Sequence, residues 1–234
     1  MNIAKMVRAT CAVGLFLVTG AAIGASTYPT KPIRVVVPLA PAGSTDIVAR
    51  LVAQKLNEAW GQPVIVDNRP GAGTTIGSEL VARAAPDGYT LLLTSASLAT
   101  SVSLYRNLAF DPVKDFSPVG PVGQSFYVLA VNPSLPVNSV QEFVALAKAK
   151  PGQVLYSSAG AGTITHLTVE LFISHVKIDM LHVPGGAPAL VAFLSGQVHA
   201  IFNPIAEILP HVRAGGKVRT LAVTNPKRVS ELPD

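Results

Sequence analysis

"VVVPLAPAGSTDIVARLVAQKL", residues 35–56, compresses a strand, a small-residue loop and a helix into one short stretch. Val35, Val36 and Val37 form a β-branched run, which favours a strand. Pro38, Pro41 and Gly43 break it, and Ser44, Thr45 and Asp46 stand where a helix would begin. The apolar positions Val48, Leu51, Val52, Leu56 and Ala59 then follow helical spacing from about Thr45 to Ala59, and Gly61 and Pro63 stop the helix. A helix start presents backbone N–H groups without partners and roughly half a positive charge, so this loop poses the question of which anion fills it.

The pattern recurs outward from this stretch. "PVIVDN" (63–68) reads as a strand, "TTIGSELVARAA" as a helix ended at Pro86-Asp87-Gly88, and "YTLLLTS" (89–95) as a third strand. Residues 107–123, "NLAFDPVKDFSPVGPVG", have no sustained period and read as a crossing between two lobes. Beyond them come the strand "SFYVLAVNP" (125–133) and the helix "SVQEFVALAKAKPG" (139–152), with a capping box at Ser139 and Glu142. Strand and helix then alternate through "QVLYSSAG", "GTITHLTVELFISHV", "IDMLHVP", "APALVAFLSG", "QVHAIFN" and "PIAEILPHVRAG" to a last strand, "KVRTLAVT". This rhythm predicts an α/β fold with mainly parallel sheets flanked by helices, in two lobes of about a hundred residues each. Trp60 and Phe172 are expected in the core.

Residues 1–25 read as a cleaved secretory signal. Lys5 and Arg8 precede a short apolar run that ends in small residues at Ala25. Cleavage there removes Cys11, the only cysteine, so the exported chain carries no disulfide and no thiol. The remaining Lys and Arg residues are scattered singly without interleaved aromatics, which argues against nucleic acid.

Three loops share the opening grammar: residues 41–46, "NRPGAGTTIG" (68–77) and "SSAGAGTIT" (157–165). In open α/β sheets, ligands bind beyond the carboxyl ends of the strands, where such loops gather. None of the loops ends in Gly-Lys-Ser/Thr, and the glycines do not match the dinucleotide fingerprint. A carboxylate needs only two or three N–H or hydroxyl donors, each worth about 1.5–3 kcal/mol to a charged acceptor. No nucleophile elbow and no His-Glu-x-x-His motif is present, the histidines lack metal-ligand spacing, and no cofactor or metal is expected. His166 reads as a donor to ligand or a structural residue of a helix start, His182 as a core histidine, and Asp46 as a cap of its own helix or a partner for a ligand amine.

With these residues in view, the chain resembles the periplasmic solute receptors of tripartite tricarboxylate transporters, the Bug receptor family. The resemblance rests on "YPTKPIRVVVPLAPAGSTDIVAR" (28–50), "QPVIVDNRPGAGTTIGSELVARAAPDGYTLL" (62–92), "GTITHLTVELF" (162–172), "PALVAFLSGQV" (188–198) and "RTLAVTNPKRVSELPD" (219–234). It implies a two-lobed, type II-like Venus-flytrap protein that is not an enzyme. Such a protein is a periplasmic monomer that holds a small organic acid and passes it to a membrane permease. The lobes would be 26–120 and 121–218, with 219–234 returning toward lobe one, and the chain ends where the family continues. By matching position, lobe one would offer Pro41, Ala42, Gly43, Ser44, Asp46, Gly73, Thr74, Ser95 and Ala96 to the ligand. Lobe two would offer Ser158, Gly160, Gly162, Thr163, His166 and Asn203. Two departures stand out. "HVPGGAPAL" is about two residues shorter than the family pattern, losing an aromatic and a basic residue, which would shift ligand choice; and His199 stands where an acidic residue is common. An exported enzyme acting on a small acid and a fragment without function are the alternatives.

Overall fold

The valine run becomes a central strand. In the computed structural model, which describes residues 28–184 and 189–232, β1 (Ile33–Val37) pairs in parallel with β2 (Val64–Asn68) on one side and β3 (Thr90–Leu92) on the other. Ile33, Val35, Val36 and Val37 are buried, as expected of a parallel strand covered on both faces. The 17-residue helix α1 (Ser44–Trp60) follows directly. It closes at Gly61, whose left-handed conformation lets its N–H donate to Asn57 O at 2.9 Å.

The buried stripe of α1 is narrower than its apolar stripe. Asp46, Ala49 and Ala53 face the sheet, whereas Val48 and Leu51 are exposed. Trp60, expected in the core, is 40% exposed even though it continues that stripe, because it is the last residue of α1. A 3-10 turn (Ala72–Thr74) leads into α2 (Thr75–Ala82). There Gly77 allows a close approach of backbone to backbone. A Cβ at Gly77 would lie 2.7 Å from Arg69 O and 2.8 Å from Pro38 Cβ. Helix α3 (Ser97–Leu104) is not predicted by the sequence, since "SLATSVSL" has neither helical periodicity nor strong helix formers beyond its leucines and alanine. Residues 105–126 carry no helix or strand.

The second sheet has five strands in the order β6-β5-β7-β4-β8: β4 (Tyr127–Val131), β5 (Val154–Ser158), β6 (Met180–Pro184), β7 (Ala200–Pro204) and β8 (Arg219–Val223). β5 is parallel to β6 and β7, while β4 is antiparallel to both β7 and β8. The strand alternation sorts the core into two layers. Leu129, Val131, Tyr156 and Phe202 pack with Phe143 of α4 (Val140–Ala149) and Val169 of α5 (Ile164–Val176). Val128, Ala130 and Ile201 pack with Phe193 of α6 (Ala189–Leu194) and Ile208 of α7 (Ile205–Arg213). Phe172 joins the first layer, its ring 5.5 Å from that of Phe202. Ser139 caps α4 by accepting Glu142 N–H at 3.1 Å. The return bond from Glu142 goes to Asn138 N–H, one residue earlier than a capping box requires.

One expectation is corrected here. The strand assigned to a return toward the first lobe, β8, is instead the edge of the second sheet. β4 is buried on both faces and needs a partner on its second side, which Arg219–Val223 supplies. Val229 and Leu232 then fold back beside β8, with Leu232 against the second core layer. Residues 1–25, read as a signal, and the Gly185–Pro188 part of the shortened loop lie outside the described residues.

Candidate ligand-binding site

The three loops stand at the carboxyl ends of parallel strands, as the topology demands: β1 runs into residues 38–43, β2 into 69–74 and β5 into 159–163. Their backbones are unusual. Ala42 (φ 65°), Ala72 (φ 44°) and Thr74 (φ 87°) lie in the left-handed region without being glycine. Such strain costs about 1–3 kcal/mol per residue and gathers where a loop must present its backbone rather than relax.

The loops of each sheet meet groups carried by the other sheet. At the start of α1, Ser44 N–H donates to Glu207 Oε1 of α7 at 2.5 Å. Glu207 is held from behind by Asn203 Nδ2, which donates to its Oε2 at 2.6 Å. At the start of α5, Ile164 N–H donates to Ser97 Oγ of α3 at 3.0 Å. Tyr105, at the carboxyl end of α3, places its hydroxyl against both glycine loops. A Cβ on Gly73 would collide with it, and one on Gly162 would come within 3.0 Å. Ala161 O is also close to Gly73, at 3.0 Å from a Cβ there. Each helix start is therefore completed by an oxygen from the other lobe.

The predicted residues separate by what they do. Asp46 turns inward: its Oδ2 accepts Ala42 N–H and Arg50 Nε at 2.9 Å each, so it stabilises its own loop. Burial pushes the Asp46 carboxyl up, but the hydrogen bonds from Arg50, Ala42 and Asn68 outweigh it and hold the carboxyl below its usual range. Pro41 and Ala42 are exposed on the outer turn, with Gly43 and Ser44 half-buried toward Glu207. Ser95 supports Ser97 through a 3.1 Å hydroxyl bond, and Ala96 is exposed beside it. Thr74 is buried and its Oγ1 has no hydrogen-bond partner, which leaves a donor in the second loop unused.

In the second lobe, Ser158, Thr163 and Thr165 brace the loop from within. Ser158 Oγ accepts Gly160 N–H, and Thr163 Oγ1 donates to Gly160 O at 2.6 Å. Gly160 (φ 131°) and Gly162 (φ 82°) adopt left-handed backbone conformations. Glycine reaches these without the steric cost that a Cβ would bring. His166 Nδ1 accepts Gly162 N–H at 3.4 Å. His182, read as a core residue, instead joins this loop. It shares a 2.9 Å hydrogen bond with Ser158 Oγ, stacks on Tyr156 at 4.8 Å and lies 4.7 Å from the His166 ring. Burial, then the neighbouring His166, lower its basicity, with Glu170 opposing. Tyr156 donates to Glu170, and burial and that carboxylate push its hydroxyl far up. Near the other contact, burial and the Glu207 charge raise Tyr127 to about 12. His199 is structural: its Nδ1 accepts Leu155 N–H at 2.9 Å and stitches β5 to β7.

Sequence reasoning missed Ser97, Tyr105, His182 and Glu207. Ser97 and Tyr105 lie on or beside the unpredicted helix. Glu207 had a signal, an acidic residue in the first turn of the helix after Asn203, but that signal reads equally as a macrodipole partner.

The chain resembles known proteins throughout its length. Residues 48–234 match the family described as "Tripartite tricarboxylate transporter family receptor". Protein BugT of Bordetella pertussis is 39% identical, over 98% of this chain and 72% of that protein. Among solved structures, a periplasmic transporter is 41% identical with a TM-score of 0.83, covering 87% of this chain and 69% of that one. The R. palustris protein Rpa4515, solved with adipate, is 35% identical with a TM-score of 0.82 (86% and 68%). MatC of Rhodopseudomonas palustris, solved with bound malate, is 33% identical with a TM-score of 0.77 (86% and 69%). The periplasmic binding protein BugD is 34% identical with a TM-score of 0.79 (88% and 70%). The chain belongs to the tripartite tricarboxylate transporter receptor family, the Bug receptors.

Proposed function

We propose that this protein is an extracytoplasmic receptor that holds a small carboxylate between its lobes and delivers it to a tripartite-type membrane permease. The observation that supports this most directly is the pairing of two helix starts, at Ser44 and Ile164, each facing an oxygen of the opposite lobe. Such a pair suits an acid with a polar group at each end. Adipate and malate, bound by two of its neighbours, are acids of that kind. On this reading residues 1–25 direct export and are removed, and the receptor works as a monomer. It performs no chemistry on the acid.

Calorimetry with adipate, malate and their diamides tests the proposal. One or more of the acids is expected to bind at micromolar affinity without being consumed, and the diamides are expected not to bind. Two or three charge-assisted bonds suffice for that affinity in a preorganised cleft. Diamides binding as well as acids, or turnover of the acid, would overturn it. Thr74→Val sharpens the test. Removing a buried hydroxyl without a partner leaves the free protein as stable as before or more so. If Thr74 serves the ligand, the same change weakens acid binding about tenfold.

A further inference from the structure

We propose that Glu207 is a tethered carboxylate occupying a ligand-carboxylate seat at the start of α1, and that it makes the receptor discriminate against monocarboxylates. This rests on the reading of the cleft as a carboxylate site.

The geometry is that of a bound acid. Oε1 accepts Ser44 N–H at 2.5 Å, at the first turn of a 17-residue helix whose own capping residue, Gly43, has no side chain to offer. A Cβ at Gly43 would stand 3.7 Å from Oε1, in ordinary contact, so the carboxylate is seated directly against the capping residue. Oε2 is held by Asn203, which is itself buried. The nearby Asp46 carboxylate holds Ala42 N–H and Arg50 through Oδ2, and Ser44 N–H goes to Glu207 rather than to the unpartnered Asp46 Oδ1. Glu207 reaches this seat from the other lobe, so the contact is made only while the lobes are together.

The consequence is an exchange. An incoming carboxylate that takes Ser44 N–H must expel another carboxylate of the same charge and donor demand. A monocarboxylate makes no gain from that exchange. An acid with a second polar group gains contacts at the loop of residues 158–163, and these tip the balance. Displaced, Glu207 retains Asn203 as its partner, so the exchange does not strand a buried charge.

The test uses acetate and adipate on the wild type, Glu207→Ala and Glu207→Gln. Thermal shift and calorimetry read binding, sodium chloride controls for ionic strength, and the Ser44 amide resonance reports location. In Glu207→Ala, acetate should bind saturably and move the Ser44 resonance, at least about tenfold more tightly than in the wild type. Glu207→Gln keeps the shape without the charge and should move in the same direction. It also serves if the alanine variant fails to fold. Equal acetate affinity in wild type and variants, or acetate binding that leaves Ser44 unmoved, would overturn the proposal. Acetate seated at Ser44 in the variants while no diacid binds any form would support the seat and refute the cleft reading. Adipate bound equally by all forms, with no acetate effect, would do the reverse.

Discussion

The two sheets are built from one strand-loop-helix grammar, yet they bury their residues very differently. In the second sheet all five residues of β7 and four of β4 are buried, between helices on both faces. In the first, β1 is buried but no residue of β2 or β3 is, and α1 leaves Leu51 59% exposed. Exposed apolar side chains occur in both halves, Ile47, Ile65, Ile76 and Val102 in the first and Leu171, Leu181 and Val191 in the second, so the difference lies in the strands. The second lobe is thus held by two apolar layers. The first relies on one strand, close backbone contacts and ion pairs such as Asp67 with Arg34 and Arg69. A loop pattern shared by both lobes therefore says where a ligand meets the protein, and little about what holds each lobe together.

The comparison can be broken at its strongest point first. Phe143 fills the fully buried centre of the second lobe. Phe143→Ala should cost about 3–5 kcal/mol in urea unfolding. A loss under about 1 kcal/mol would mean that the two-layer core is not what stabilises this lobe. Next comes Gly77→Ala in the first lobe, where backbone and Pro38 leave no room for a Cβ. About 1–3 kcal/mol of overpacking is expected there. If it costs nothing, the lobe is looser than its contacts indicate.

Acid titration separates the lobes by window. His182 of the second lobe has its basicity lowered below the ordinary 6.5, chiefly by burial and then by His166. The unfolded chain therefore takes up the proton first. Stability is full above pH 6.5 and falls with pH until the folded value is passed. In the first lobe, burial raises Asp67 while hydrogen bonds from Arg34 and Arg69 lower it further, for a net value below 3.8. Its contribution persists to more acid pH and is lost only as pH falls through that lowered value. His182→Asn should flatten the upper step alone; a pH profile unchanged by that substitution would remove His182 from the account. The smallest effect is expected at Leu51→Gln, because the side chain is already in solvent. Its stability should change by no more than about 0.5 kcal/mol. A larger loss would show that something covers α1 in solution.

Much of this protein was legible in its sequence because the relevant physics is local. β-Branched runs became strands, helical spacing became helices, and Pro and Gly punctuated them at nearly the expected residues: β1 over Ile33–Val37, α1 over Ser44–Trp60, α5 over Ile164–Val176. The glycine loops were placed at the strand ends by the same reasoning. What fills those loops was not legible. The partner of Ser44 lies 163 residues away in Glu207, and that of Ile164 lies 67 residues away in Ser97. The partner strand of β8 was equally a matter of which edge remained open. His182 passed for a core residue because its strand is apolar, and only the stacking of β5, β6 and α5 brought it against Ser158 and His166. Composition and period determine which elements form, since those depend on neighbours in the chain. Which oxygen completes a helix start depends on groups that share no local pattern, and only the packed fold decides it.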